Sequence, residues 1–590
     1  MQANGSLHPP RLPVILAAAV IQGWALYGLH HAITTHTWPA THLAWLFGFY
    51  AVAVLIPVTT QLLVEWITEQ ATWFMVAVLT VAFFYFGWHH GSAVANSNEL
   101  RFAASGECFP LAAVLIVLWL HLLPFIQARL ELGKWSVQYE VLFAHAWRNV
   151  VALAEAGVFT GLFWLLLFLW QTLFHMLQID FFRDLFQEPV FVYPVTSLVF
   201  GSALHLIGSV ERLVSTVLEQ ILNVFKWLGT VTGVLLALFT LALLTRLPGL
   251  LHTGEKAIGA SWLLWLVAVV VLFLNAAFRD GKVQQPYPRF VALALRAVMP
   301  LTVIVALTAL YALGLRTREY GLTVERVWGL VVGGAALTYA LGYTAAALRS
   351  GPWFAGIGRV NVVVALGLIA TLCLCLTPLL SPYRLAAASQ YARVLAGQFK
   401  ETAPRGNYST PFHYLRFDAG NYGRRKLDQL ARLQGHPDAE RIRGLAATAR
   451  QLVNPWEPER STTTADLLAR MVVYPQGHAL PPELRARLAA DLEEPQKRYL
   501  LAQPDCPVAG LFLNLSDGTP PAEQFVLLVG GSGDVYRQEA AGWRVVARLS
   551  DSAPSASAPG ITAAVQRGEV IVRESAWKDL WIGQHHLRVQ

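Results

Sequence analysis

Arg316-Thr317-Arg318-Glu319-Tyr320-Gly321-Leu322-Thr323-Val324-Glu325-Arg326 stands between two long apolar segments, Phe290 to Leu315 and Val327 to Leu348, in a chain where charged residues make up only 14%. Hydrocarbon cannot solvate such a cluster, so it belongs at a membrane face and fixes how the helices on either side are threaded. Working outward, apolar runs of roughly 17–25 residues recur along the first part of the chain. They begin near Arg11, His42, Ala71, Pro110, Asn149, Pro189, Trp227, Ile258, Phe290, Val327 and Arg359. The reading is a polytopic α-helical membrane protein of about eleven transmembrane helices, residues 1–380.

Composition agrees. Of the 590 residues 55% are hydrophobic, and the mean hydropathy is +0.46, values that exclude an ordinary soluble chain. The net charge of +7 does not point to nucleic acid, because the basic residues are spread through short links and the tail; they act as topology signals. With the amino terminus inside, the inner links carry Arg129, Lys134, Arg148, Arg212, Lys226, Arg279, Lys282, Arg289, Arg349 and Arg359. The outer links carry Arg101, Arg183, Arg246, Lys256, Arg316, Arg318 and Arg326. An odd number of spans then carries the tail to the outer face.

Two stretches between spans are amphipathic. Val210, Leu213, Val214, Val217, Leu218, Ile221, Leu222 and Phe225 recur at helical spacing, and 131–149 mixes Trp135, Tyr139, Phe143 and Trp147 with charges. Both are expected as interfacial helices, near 131–149 and 210–226, the alternative being that each extends the adjacent span. After Leu380 the membrane-length apolar runs stop. Residues 381–505 read as a mostly helical soluble segment and 506–590 as a small β-rich module of short alternating runs, together a C-terminal extramembrane α+β region. Gly530-Gly531-Ser532-Gly533 lacks the Lys-Ser/Thr of a phosphate loop and reads as a hairpin turn.

Tyr139-Glu140-Val141-Leu142-Phe143-Ala144-His145-Ala146-Trp147-Arg148-Asn149, the run Gly161-Leu162-Phe163-Trp164 and Tyr320 to Arg326 resemble the signature of a bacterial multi-pass inner-membrane family known as DUF 4153. Leu415-Arg416-Phe417-Asp418-Ala419-Gly420-Asn421-Tyr422-Gly423-Arg424 resembles its downstream segment. The resemblance implies a bacterial inner-membrane location and no catalytic residues, since the family has no assigned activity.

Candidate sites follow from residue type. Glu155 and Arg296 lie within apolar runs, where charge is expensive unless paired, and form a candidate intramembrane pair or pathway. Arg316, Arg318, Glu319, Tyr320, Glu325 and Arg326 form a candidate gate or lipid-headgroup contact. His30, His31, His36 and His42 surround the first outer link, and His89 and His90 end the third span; neutral imidazoles there suit a transition metal, although an interfacial role without metal is the simpler reading. Cys108 and Cys506, two of the four cysteines, are candidates for one disulfide on the oxidising side. No cofactor other than that metal is implied, and the absence of catalytic motifs points away from an enzyme. The expected role is a scaffold that presents a periplasmic tail to envelope proteins, with membrane lipids as surroundings. The alternatives are transport or lipid handling through the bundle, and metal sensing through the histidines.

Overall fold

A computed structural model describes residues 11–95, 100–135, 137–209, 211–253, 259–282, 286–349, 353–399 and 410–452. Beyond these it describes chiefly 471–475, 478–492, 508–513, 523–529, 532–540, 542–550, 580–582 and 585–587. Among the described residues eleven helices are long and apolar enough to cross a membrane. They belong to α1 (Arg11–Thr34), α2 (Leu43–Leu62), α3 (Gln70–Val94), α4 (Leu100–Leu132), α5 (Tyr139–Met176), α7 (Pro189–Ser209), α8 (Glu211–Thr253), α9 (Ala260–Phe278), α10 (Arg289–Tyr320), α11 (Val324–Leu348) and α12 (Ile357–Cys375). A short aromatic helix, α6 (Phe181–Gln187), joins α5 to α7. The chain divides into two compact units: Met1–Arg393 with Asp418–Lys426, and Val394–Phe417 with Leu427–Gln590.

In the first unit two apolar clusters organise the bundle. One gathers Phe47, Phe83, Leu118 and Leu123 from α2, α3 and α4; the other gathers Leu263, Val267, Met299, Val305 and Tyr343 from α9, α10 and α11. Lipid removes the hydrophobic drive between helices, so close backbone approach matters. Gly87 and Gly91 of α3 supply it: a Cβ on either would run into the Phe47 or Leu43 carbonyl of α2.

The two amphipathic stretches do not form separate surface helices. Residues 139–149 open the 38-residue α5, and 211–226 open the 43-residue α8. Nothing in either sequence breaks the helix, and the apolar stripe has a protein partner: Leu222 is buried, while Val217, Leu218 and Ile221 pack on the first apolar cluster. At 1.5 Å per residue these helices are about 57 Å and about 65 Å long, well beyond the roughly 30 Å hydrocarbon layer.

The extramembrane boundaries also differ from expectation. Within α13 (Pro382–Leu395), residues through Arg393 belong to the bundle unit, as do Asp418–Lys426. In the second unit α14 (Pro411–Phe417) is tied to the end of α16 (Ala439–Gln451), with the Arg416 guanidinium donating to the Leu452 carbonyl at 3.1 Å. The α15 helix (Gly420–Ala431) contributes Asp428, which pairs with Arg450 at 2.9 Å.

A five-stranded sheet comes next, in the order β1 (Val472–Tyr474), β2 (Val508–Phe512), β3 (Gln524–Val529), β4 (Ser532–Glu539), β5 (Gly542–Ser550). The β1 strand runs parallel to β2 and the remaining neighbours are antiparallel. The sheet therefore starts well before residue 506, because the parallel pair needs the crossover that α17 (Pro482–Leu492) supplies. Leu484, Leu488 and Leu492 of that helix pack on Phe525, Leu527, Val529 and Tyr536, one face of the sheet. Val529 pairs with Ser532 across the β3–β4 hairpin, as the glycine-rich turn predicts. A small pair, β6 (Leu580–Ile582) and β7 (His585–Leu587), ends the described chain.

Candidate functional site

At one end of the bundle a cleft of about 800 Å³ is lined by Glu131, Glu140, Phe143, His145, Arg148, Leu218, Arg279, Asp280 and Lys282 among others. It forms where α4 ends, α5 begins, α8 passes and α9 turns toward α10. Its charges are paired across elements. The Glu131 carboxylate meets His145 Nε2 at 2.7 Å, Arg148 donates to Glu65 at 2.8 Å, and Lys282 Nζ lies 2.9 Å from Glu140 and 3.9 Å from Asp280. The hydrogen bond and charge of Glu140 hold the Lys282 ammonium above its ordinary range. Arg279 differs: its guanidinium donates to the neutral Asn223 side-chain oxygen at 2.9 Å.

The stretch Tyr139 to Asn149 builds much of this end, and its polar residues reach several neighbours. Tyr139 reaches Asn361 of α12, Glu140 reaches Lys282, His145 reaches α4, and Arg148 reaches the turn after α2. Asn149 exchanges two hydrogen bonds with Gln127 of α4, at 2.7 and 3.1 Å. Asn361 continues the polar contacts inward, accepting from Tyr343 at 2.6 Å and donating to Asn275 at 2.6 Å. Such bonds hold membrane helices in register, since a buried amide without a partner in hydrocarbon costs several kcal/mol, on the order of its full desolvation penalty. The motif acts first as a packing hub of α5.

A second constellation lies where α3 and α10 end. The charged stretch is mostly helical: α10 continues to Tyr320, so Arg316, Arg318 and Glu319 sit in its last turns. Only Gly321 to Thr323 link it to α11. Gly321 takes a φ of +79°, and the Thr323 hydroxyl accepts from the Arg326 backbone at 3.4 Å as the cap of α11. The carbonyls left over at the end of α10 are met by α13. Gln390 donates to Tyr320 and Leu322, each at 3.0 Å, Arg393 donates to Arg318 at 3.0 Å and Glu319 at 2.6 Å, and the Leu322 amide donates to Ser389 at 3.0 Å.

The end of α3 is closed the same way from α15. Asn421 donates to the Ser92 carbonyl and Arg424 to that of Ala95. Tyr383 and Tyr422 pack with Ala93, Val94 and Val324. Asn421 and Arg424 stand in the run Leu415 to Arg424 quoted above, with no capping role legible there, and Ser389, Gln390 and Arg393 fall outside every candidate site; the available signal was the Gln390–Arg393 spacing, one helical turn apart on a helix with apolar neighbours. Arg318, Glu319 and Glu325 remain exposed, while Arg316, Tyr320 and Arg326 are half-buried.

The six histidines are dispersed among other partners. His30 meets the Tyr193 hydroxyl at 3.2 Å, His31 stacks on Tyr27, His36 occupies a turn at φ +53°, and His42 meets Thr41 at 3.0 Å. His89 lies 3.5 Å from the Tyr422 hydroxyl, and His90 packs edge-on to Phe47 and Tyr383. No group of three or more His, Cys, Asp or Glu side chains placed to hold a metal occurs among the described residues.

Glu155 and Arg296 are not brought together. Both Glu155 oxygens are buried without a hydrogen-bond partner among the described residues. The physical reason is packing: α5 packs chiefly on α4, α6, α7, α8 and α12, and α10 on α8, α9 and α11. The Cys108 and Cys506 side chains lie outside the described residues; Cys373 and Cys375 are free thiols in α12.

No family model, no curated protein and no solved structure matches this chain. The cleft and the joint at the ends of α3 and α10 are therefore the features from which a function has to be built.

Proposed function

We propose that the protein is a non-enzymatic membrane anchor of the DUF 4153 type, in a bacterial inner membrane, that presents its extramembrane unit to partners in the envelope. One observation carries this reading. The chain leaves the bundle at Val394, returns at Asp418–Lys426 and leaves again at Leu427, and both points of attachment are bonded to helix-end carbonyls, by Gln390 and Arg393 on one side and by Asn421 and Arg424 on the other. A flexible tether needs no such bonds. A rooted one fixes where the chain leaves the bundle, as presentation requires.

Periplasmic placement of the tail is part of the proposal, supported by the odd number of spans and by the gathering of Arg148, Arg279 and Lys282 at the opposite end of the bundle. The test is a truncation after Lys426. Cells carrying it should behave as cells lacking the whole chain, although the truncated bundle still accumulates in the membrane. Full function from the truncated bundle would defeat the proposal.

A second reading, lipid or solute handling, is favoured by the cleft and by the buried Glu155 carboxyl. It predicts that Glu155→Gln abolishes flux while the protein stays folded, whereas a pure anchor tolerates the change.

A further inference from the structure

The turn that ends α9 places an arginine where a glycine is expected. Arg279 has φ +54° and ψ −130°, and the Gly281 amide donates to the Phe278 carbonyl at 3.0 Å. Phe278-Arg279-Asp280-Gly281 is therefore a β-turn of the II′ kind with Arg279 at its first central position, which favours glycine because a Cβ there is strained. Strain of this sort persists where the side chain is needed.

The Arg279 side chain lines the cleft. Each carboxylate there and beside it has a basic partner other than Arg279: Glu131 has His145, Glu65 has Arg148, and Glu140 and Asp280 share Lys282. Among the described residues Arg279 meets only the neutral Asn223 oxygen and no carboxylate. A guanidinium has five N–H donors in a planar fork suited to phosphate oxygens, so most of its capacity is unused. Val141, Phe143 and Leu218 give the same cleft an apolar wall. The cleft sits where α4 and α9 end and α5 begins, three of the helices long and apolar enough to cross a membrane.

We propose that this cleft is a binding site for a phosphate-bearing group, seated on Arg279, with a membrane phospholipid headgroup as the source the apolar wall favours and a free phosphate compound as the other source. The site does not depend on the anchor reading, and its failure would leave the carbonyl-capped joint untouched.

The experiment is calorimetric titration of the purified full chain in a non-ionic detergent, with dihexanoyl phosphatidylglycerol in one arm and inorganic phosphate in the other. The variants are Arg279→Gly, Arg279→Gln and Asn223→Ala. Arg279→Gly suits the turn, so it should fold at least as well as the parent, yet bind at least about tenfold more weakly, the loss of a charge-assisted hydrogen-bonding group. Arg279→Gln should lose binding to a similar extent. Asn223→Ala frees the guanidinium and should bind as well as the parent or better, which a merely structural α8–α9 clip would not predict. Arg279-dependent binding of the phospholipid alone assigns a lipid site, and Arg279-dependent binding of inorganic phosphate assigns a soluble ligand. Binding unchanged in Arg279→Gly, or no binding in either arm, overturns the proposal.

Discussion

Replacing Gly420 by alanine should release the segment Asp418–Lys426 from the bundle without unfolding the bundle. Gly420 has a φ of +55°, and a Cβ on it would overlap the Ala93 carbonyl oxygen, a backbone atom that cannot swing aside. A left-handed conformation costs a residue with a Cβ about 1–2 kcal/mol, and overpacking against fixed atoms costs about 1–3 kcal/mol. The total is about 2–5 kcal/mol. Against it stand the neutral Asn421 bond to Ser92 and the charged Arg424 bond to Ala95, which contribute about 1 and about 1.5–3 kcal/mol. The two sides are comparable, so the segment should lift rather than strain the helices beneath it. Hydrogen exchange followed by mass spectrometry should show amides in 418–426 exchanging at least about thirtyfold faster, the ratio that corresponds to 2 kcal/mol. Thermal unfolding of the bundle should barely move. Gly444→Ala is the matched control: no atom lies within 4 Å of its would-be Cβ, and in the interior of α16 the change should stabilise by about 0.5–1 kcal/mol. Unchanged exchange in Gly420→Ala would refute the reasoning.

Other consequences are open to measurement. Gln390→Leu removes the donor to both Tyr320 and Leu322 and should lower the stability of the detergent-solubilised protein by about 1–3 kcal/mol, read from thermal unfolding. Asn149→Leu should cost about 1–3 kcal/mol because it strands the Gln127 side-chain oxygen and leaves its nitrogen only the 3.5 Å bond to the Leu62 carbonyl, but adding Gln127→Leu should recover part of that loss, a coupling that a double-mutant cycle detects. Burial and the neighbouring Asp491 push the Tyr536 hydroxyl above its ordinary value of 10. Its contribution is therefore complete below pH 10 and is lost at higher pH, where the unfolded tyrosine ionises and the folded one does not. Tyr536→Phe should flatten that alkaline loss in a pH series of unfolding curves; an unaltered slope would contradict the assignment.

The spans were legible because membrane length is written directly in apolar runs, and all eleven helices fall on the runs read from the sequence. Their ends were less so. Residues 139–149 and 211–226 carry the stripe of a surface helix, and only the fold reveals that the stripe packs on neighbouring helices. The charged stretch from Arg316 to Arg326 reads in the sequence as a link between two spans, whereas α10 runs to Tyr320, α11 starts at Val324, and Gln390 and Arg393 close the end of α10. Carbonyl caps that come from distant parts of the chain leave no local pattern. Arg279 shows the same limit at short range: Asp280-Gly281 marks a turn, yet only the backbone reveals that the arginine holds the first central position of a II′ turn, where glycine is the usual occupant.

The proposed anchoring in the envelope requires an odd number of crossings, which would carry the tail to the face opposite the amino terminus. The most direct test fuses a reporter active only in the periplasm after Gln590 and a reporter active only in the cytoplasm before Met1. Both should be active. Silence of the carboxyl-terminal reporter, with a cytoplasmic reporter active in its place while the amino terminus stays inside, would mean an even number of crossings and would contradict a periplasmic tail.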